Sequence, residues 1–147
     1  MRAPYQILAI PYRIINGNIL FCVLHRADID YWQFIAGGGE DKEIPIEAAR
    51  REIFEEVGIE IRNIIQLDTI CSIPANCISE KHRKNWSKHT YVIPEYSFAF
   101  ECGSEIFLSN EHTEYLWADY ERANELLTFD SNKTSLYELG CRLKNGI

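Results

Sequence analysis

Hydrophobic and polar positions along the chain follow two different periods, which separate predicted strands from predicted helices. Short runs rich in Ile, Leu, Val and Tyr, bounded by Gly, Pro or Asn, are typical of β-strands. The first two runs are joined by Asn16-Gly17-Asn18, which supplies the positive-φ turn of a hairpin. The predicted strands are Tyr5–Arg13, Ile19–Arg26, Trp32–Phe34, Ile64–Ile73, Tyr91–Glu101 and Glu114–Ala118.

Helical spacing appears in three segments. The clearest begins at Pro45, after which apolar residues recur at intervals of three and four as far as Val57, and Gly58 follows as a stop. Two further helices are predicted at Tyr120–Leu127 and Asn132–Lys144. Strands mixed with a few flanking helices predict an α/β or α+β fold. The glycine run 37–39 is expected to end the third strand with backbone that no side chain shields.

Composition narrows the class of protein. The 147 residues contain no internal repeat and no linker-like segment, so one domain spanning residues 1–147 is expected. The formal charge of -7 argues against general electrostatic attraction to nucleic acid. Neither a membrane span nor a signal peptide is recognisable, so we expect no membrane association and a cytoplasmic location. The five cysteines form no CxxC pair and the four histidines no HExxH motif, which argues against a disulfide framework and a preformed zinc site.

The helix after Pro45 has an unfavourable charge pattern. Glu52, Glu55 and Glu56 stand at i, i+3 and i+4, so their carboxylates crowd one face of the last two turns. The C-terminal end of a helix favours cations over anions, which adds to the repulsion. One interpretation is a solvated acidic face balanced by Arg50 and Arg51. The other is a site for a hard divalent cation such as Mg²⁺ or Mn²⁺, which prefers oxygen ligands.

The surrounding spacing favours the cation site. The chain contains the pattern G-x5-E-x7-R-E-U-x-E-E-x-G-U, where U is aliphatic, from Gly37 to Ile59. At average composition such a pattern arises by chance roughly once in 10⁹ windows. It resembles a complete Nudix box, and the chain is therefore similar to Nudix hydrolases. The resemblance implies the Nudix fold, a mixed β-sheet sandwiched between α-helices, and metal-dependent hydrolysis of a nucleoside diphosphate linked to another group.

The resemblance also implies roles for individual residues. Glu52 and Glu56 would be the principal metal ligands, and Glu55 would be a third ligand or a base. The carbonyl of Ala36 or Gly37 would add an oxygen ligand. Arg51, flanked by Glu47 and Glu55, would hold the carboxylates in place, and Glu43 would pair with it. Mg²⁺ is the expected cofactor, with Mn²⁺ as the alternative ion.

Outside the box, the segment 26–33 and the residues from Glu111 to Trp117 are similar to dihydroneopterin triphosphate pyrophosphatases and related dNTP-hydrolysing Nudix members. On that resemblance Glu111 would be a further metal ligand or the general base, with Glu95 and Glu101 as competitors. Arg2 and His25 fall where that subfamily contacts substrate. Each of these residues has the alternative of being an ordinary solvated side chain.

The segment 80–89 is locally basic in an acidic protein. Lys81, Arg83, Lys84 and Trp86 could clamp a triphosphate and stack on a base, because cations pair with phosphate oxygens and an aromatic face accepts a heterocycle. A solvated loop is the alternative. Other aromatic residues that could stack on a base are Tyr31, Trp32 and Phe129.

Together these features predict a Mg²⁺-dependent pyrophosphohydrolase that acts on a small nucleotide or a pterin triphosphate. Cleavage of dinucleoside polyphosphates or RNA 5′ ends is a second enzymatic hypothesis. A catalytically silent module that binds nucleotides is a third, although such modules usually lose box glutamates that this chain retains. Because many relatives dimerise, the resemblance also allows a homodimer.

Overall fold

A mixed β-sheet and four α-helices make up the computed structural model, which describes residues 1–147. The predicted mixed class is confirmed. No helix combines the length and the apolar character needed to cross a bilayer. The elements in chain order are β1 (Arg2–Ile15), β2 (Asn18–Arg26), β3 (Trp32–Gln33), β4 (Ile35–Glu40), α1 (Pro45–Val57), β5 (Ile65–Pro74), α2 (Glu80–Arg83), β6 (Val92–Glu101), β7 (His112–Ala118), α3 (Tyr120–Leu126) and α4 (Asp130–Lys144).

Strand β1 is the centre of the seven-stranded sheet. One edge of β1 pairs in parallel with β6, and β5 lies antiparallel beyond β6. The other edge is shared, because β4 pairs with the first part of β1 and β2 pairs with its last residues. Strands β3 and β7 both pair with β2. This arrangement brings β4 and the loop before β7 close to the same end of the sheet.

Alternating side chains of β1 supply two separate hydrophobic cores. Ile7 and Ala9 are fully buried against α1, on one face of the sheet. Leu8 and Ile10 are fully buried on the other face, in a cluster that includes residues of α3 and α4. The period-two alternation of a strand sends successive side chains to opposite faces, so the sheet lies between helices as predicted.

The glycine run has a different role from the one expected. Gly37, Gly38 and Gly39 do not end a strand but lie within β4, where Gln6 pairs with Gly38. Nor is their backbone unshielded. A Cβ atom on these three residues would collide with the side chains of Glu52, Arg2 and Tyr5, respectively. The glycines therefore allow other side chains of the protein itself to lie directly over the strand.

Helix α1 has the ends that its sequence predicts. Pro45 occupies the first turn, and Ile44 at the N-cap provides no side-chain cap. Glu47 instead accepts a hydrogen bond from the Ile44 backbone N–H at 3.0 Å, so it caps the helix. Gly58 adopts φ 73° at the C-terminal end, a left-handed conformation that favours glycine.

Candidate active site

Helix α1 presents its three box glutamates to very different environments. Glu56 is 1% exposed, whereas the side chain of Glu55 is 52% exposed. Glu52 lies between these extremes, with a mostly buried side chain against Gly37 of β4. Only the two buried carboxylates therefore require partners within the protein.

Arg51 organises one side of this cluster. Its Nε and Nη2 donate to the two carboxylate oxygens of Glu43, at 2.8 and 2.9 Å, as the resemblance implied. Its Nη1 donates to Glu52 at 2.8 Å and to Glu55 at 3.2 Å. Nη2 also donates to the carbonyl of Gly38 at 2.8 Å, which ties the helix to β4. The guanidinium thus fixes Glu52 in place but does not reach Glu56.

Glu56 is left without compensation. Neither of its carboxylate oxygens has a hydrogen-bond partner. Glu56, Glu111 and His112 each place one potential ligand atom within 4.8 Å of those of the other two. Nδ1 of His112 lies 3.7 Å from Oε1 of Glu56, and both ring nitrogens of this buried histidine also lack partners. Unpaired buried oxygens and a neutral imidazole nitrogen are the donor set that a divalent cation satisfies.

Burial and like charge dominate the electrostatics of the cluster. Burial raises the pKa of Glu56 well above 4.5, and the neighbouring carboxylate of Glu52 raises it further. The nearby Ala36 backbone acts in the opposite direction and is a smaller effect. Burial also raises the pKa of Glu52, against the lowering effect of Arg51. For His112, burial lowers the pKa to about 4, so its imidazole is neutral at pH 7.

A cavity of about 730 Å³ adjoins the cluster. Ala36, Gly37, Glu111 and His112 contribute to its wall, so three predicted site residues are brought together there with His112. This volume suits a nucleotide-sized ligand. A second concavity of about 640 Å³, between the β1–β2 hairpin and α4, contains none of the box residues.

Two predicted substrate contacts lie outside this cavity wall and are engaged elsewhere. The ring nitrogens of His25 contact Asp30 at 2.7 Å and Thr113 at 3.1 Å. Arg2 lies over Gly38, and its Nη2 donates to Gln6 at 3.2 Å. Each therefore contacts neighbouring protein groups rather than lining the cavity.

The basic segment is also outside the cavity wall. Lys81 and Lys84 are exposed, whereas Arg83 donates to the carbonyl of Ile78 at 2.8 Å. Trp86 donates from its indole to the carbonyl of Arg2 at 2.8 Å, so it anchors the segment to β1. Part of the segment forms the four-residue helix α2, which the sequence analysis did not predict.

His112 is the site residue that sequence reasoning missed. It lies outside the box, in the segment from Glu111 to Trp117, and its place beside Glu56 depends on the pairing of β7 with β2, which brings Arg26 opposite His112. Its position next to Glu111, two residues before the predicted strand Glu114–Ala118, was the available signal. The sequence also did not predict that Gln6 and Asn132 line the cavity, because they belong to β1 and α4, far from the box in sequence.

Comparisons with known proteins agree with this geometry. A protein-family model described as the NUDIX domain matches residues 9–139 of the chain. Among curated relatives, the rat asymmetrical bis(5′-nucleosyl)-tetraphosphatase (Rattus norvegicus) is 30% identical over 127 residues, covering 86% of this chain and 82% of the relative. A Listeria monocytogenes structure assigned as a NUDIX hydrolase has a TM-score of 0.86 and 46% identity, covering 98% of this chain and 97% of that one. The E. coli dihydroneopterin triphosphate pyrophosphohydrolase has a TM-score of 0.75 and 24% identity, covering 95% and 97%.

Proposed function

The chain belongs to the NUDIX family of hydrolases, which act on pyrophosphate bonds, and we propose that it is a Mg²⁺-dependent pyrophosphohydrolase of small phosphorylated substrates. The proposed reaction is cleavage of a diphosphate linkage in a nucleoside triphosphate or in dihydroneopterin triphosphate, by attack of water at phosphorus. The E. coli dihydroneopterin triphosphate pyrophosphohydrolase shares this fold, which supports a pterin triphosphate as one of the candidate substrates.

One observation carries the proposal: Glu56 is buried with both carboxylate oxygens unpaired, beside a second buried carboxylate on Glu52. Burying an uncompensated charge is costly, so a protein without a cation at this position would be destabilised. Glu52 and Glu56 would hold the metal, and the Ala36 carbonyl would add an oxygen. A bound Mg²⁺ neutralises phosphate charge and lowers the pKa of water.

The other groups have proposed roles in binding and proton transfer. Glu111, exposed beside Glu56, would accept the proton of the attacking water, and Glu55 is the alternative base. Arg51 and Glu43 are positioning residues, because they hold Glu52 and do not line the cavity. Gly37, in the cavity wall beside Glu52, would contact the substrate, and the exposed Lys81 and Lys84 would attract the phosphate chain.

A second candidate substrate is a dinucleoside polyphosphate. The similarity to the rat asymmetrical bis(5′-nucleosyl)-tetraphosphatase extends over most of both chains, which supports dinucleoside polyphosphates as candidate substrates. The chemistry at phosphorus would be the same, and only the group beyond the phosphates would differ. Product identification separates the two candidates directly.

The test is turnover of a substrate panel with and without Mg²⁺, followed by identification of the products. The panel contains dGTP, dATP, dihydroneopterin triphosphate, diadenosine tetraphosphate and a 5′-triphosphorylated RNA. We expect Mg²⁺-dependent hydrolysis of at least one small triphosphate, and a rate lowered about 10²-fold or more in Glu56→Gln. Glu60→Gln, an exposed acid just beyond α1, is the matched control. Binding without turnover, or full activity in Glu56→Gln, would contradict the proposal.

A further inference from the structure

A second buried acid lies in the cavity wall and is not needed for the metal cluster. Glu95 of β6 is 3% exposed, and it is not among the residues grouped around Glu56. Its Oε2 accepts a hydrogen bond from Nε2 of Gln6 at 3.1 Å, whereas its Oε1 has no partner. A buried oxygen without a protein partner in a ligand-sized cavity is free to accept a hydrogen bond from a bound molecule.

Gln6 fixes one oxygen of Glu95, Oε2, as an acceptor. Nη2 of Arg2 donates to Oε1 of Gln6 at 3.2 Å, so the Gln6 amide must present its N–H group to Glu95. Gln6 lies opposite Glu95 across the parallel β1–β6 pair, which sets the spacing of the two side chains. Burial raises the pKa of Glu95, and the hydrogen bonds from Gln6 and Ser131 act in the opposite direction. The free oxygen therefore calls for N–H donors on the ligand.

A donor group stands in the same cavity wall, on α4. Asn132 is 3% exposed, and its Oδ1 accepts the backbone N–H of Phe34 at 2.9 Å. Its amide nitrogen is therefore the group left for other partners, and it contacts Ser131 at 3.3 Å with one of its two hydrogens. A 2.6 Å hydrogen bond between Ser97 and Ser135 holds this part of α4 against β6. The cavity wall thus pairs a buried acceptor with a buried donor.

We propose that the cavity recognises a 2-amino-4-oxopyrimidine edge, with Glu95 accepting from the exocyclic amino group and the adjacent ring N–H, and Asn132 donating to the ring carbonyl. Guanine and the pterins both present this edge, whereas adenine presents an acceptor nitrogen where the edge requires a donor. Phe129, in the same wall, supplies an aromatic face against which a flat heterocycle packs. The inference rests on the proposed function, because it assigns the base of the same triphosphate substrate.

The experiment compares kcat/KM for dGTP, dITP and dATP in the wild-type enzyme and in Glu95→Gln. Hypoxanthine differs from guanine only by lacking the 2-amino group, so the comparison of dGTP with dITP isolates one hydrogen bond to Glu95. A hydrogen bond to a charged group gives a preference for dGTP of roughly tenfold to a hundredfold. Glu95→Gln should remove most of this preference, so that the ratio of kcat/KM for dGTP to that for dITP falls towards one. Glu101→Gln, an exposed acid at the far end of β6, is the matched control and should keep the preference.

The second part of the experiment measures kcat/KM for dihydroneopterin triphosphate. This measurement shows whether the protein prefers a pterin or a guanine nucleotide, both of which present the same edge. A kcat/KM above that of dATP for either dGTP or the pterin supports the inference, and the higher of the two identifies the source. Equal kcat/KM for dGTP, dITP, dATP and dihydroneopterin triphosphate overturns the inference. So does an equal loss of rate with every substrate in a folded Glu95→Gln, since that result would place Glu95 in the chemistry instead.

A binding measurement keeps failure of this inference distinct from failure of the proposed function. Calorimetric titration with dGMP, dIMP and dAMP requires no hydrolysis and uses the same variants. Tighter binding of dGMP in the wild type, lost in Glu95→Gln, would uphold base recognition even if no triphosphate were hydrolysed. Equal binding of the three monophosphates, in a protein that hydrolyses triphosphates, would overturn the base assignment alone.

Discussion

Glu56 combines nearly complete burial with two carboxylate oxygens that have no hydrogen-bond partner, next to the buried acid Glu52. Such a residue is unfavourable in a protein that has only its own side chains to compensate it. Arg51 cannot relieve it, because its donors are already used by Glu43, Glu52, Glu55 and the Gly38 carbonyl. The proposed metal site therefore carries a cost in stability when no cation is bound.

This cost predicts that Glu56→Gln stabilises the metal-free protein at neutral and alkaline pH. The folded protein holds the Glu56 proton to a higher pH than the unfolded chain does, since burial raises its pKa above 4.5. The free energy of unfolding therefore falls as the pH rises from the pKa of Glu56 in the unfolded chain to its higher pKa in the folded protein. Glu56→Gln has no carboxyl group at this position, so its free energy of unfolding does not fall for this reason. Replacing the buried charge should gain about 1 kcal/mol or more, a rise of several degrees in Tm at pH 8.

Thermal unfolding in EDTA at pH 5 and pH 8 measures this effect. The advantage of Glu56→Gln over the wild type should be larger at pH 8, where the wild-type carboxyl is more nearly ionised. Comparison of the two proteins at each pH cancels the contributions of groups they share, such as Glu43, whose pKa is lowered by Arg51. A variant less stable than the wild type at pH 8 would show that Glu56 is compensated in some other way.

For individual residues, the sequence predicted the contacts within the box but not the residues that reach it from other parts of the chain. The box spacing placed Glu43 and Arg51 together, and the structure pairs them through two hydrogen bonds. Local helical geometry and a short loop suffice for that contact. His112 could not be found in the same way, because a residue distant in sequence reaches Glu56 only through the pairing of β7 with β2.

Among the elements, β4 shows most clearly where local propensity misled the prediction. Glycine is depleted in strands, so the run 37–39 was expected to end one. The structure instead pairs these residues with β1 and uses the missing Cβ atoms to admit Glu52, Arg2 and Tyr5. Tertiary contacts with α1 and β1 determine this strand, and they cannot be deduced from the residues of β4 alone.

Gly37→Ala tests the role of β4 in positioning Glu52. The new methyl group would collide with the Glu52 carboxylate, so that side chain must move away from its present position. We expect the affinity for Mn²⁺ to fall about tenfold or more, as is common when groups that orient metal ligands are altered. Gly103→Ala is the control, since nothing lies within 4 Å of its added Cβ. Unchanged Mn²⁺ affinity in a folded Gly37→Ala would argue against this positioning role.

The basic segment around α2 provides another prediction at the scale of elements. Replacing both Lys81 and Lys84 with Ser should raise KM severalfold and leave kcat within about twofold, if they make uniform contacts with phosphate. Arg83 is kept, because its hydrogen bond to Ile78 supports the turn. Lys144→Ser, at the exposed end of α4, is the control for loss of one surface charge. A normal KM in steady-state kinetics would identify the segment as a solvated loop.

At the scale of the whole molecule, the sheet topology assembles a site from segments that are far apart in sequence. The parallel pairing of β1 with β6 brings Gln6 to Glu95, and α4 adds Asn132 to the same cavity wall. Alternating hydrophobicity predicted the strands themselves, but it contains no information about which strands are neighbours. The acidic helix α1 was therefore predictable from sequence, whereas the cavity that would bind the base was not.

The central claim is that Glu52 and Glu56 together hold a divalent cation, and titration with Mn²⁺ followed by electron paramagnetic resonance tests it most directly. The measurement counts free and bound ion and needs no substrate. We predict that the wild type binds Mn²⁺, that Glu60→Gln binds it equally well, and that Glu56→Gln binds it at least about tenfold more weakly. Equal Mn²⁺ affinity in the wild type and Glu56→Gln would contradict the account.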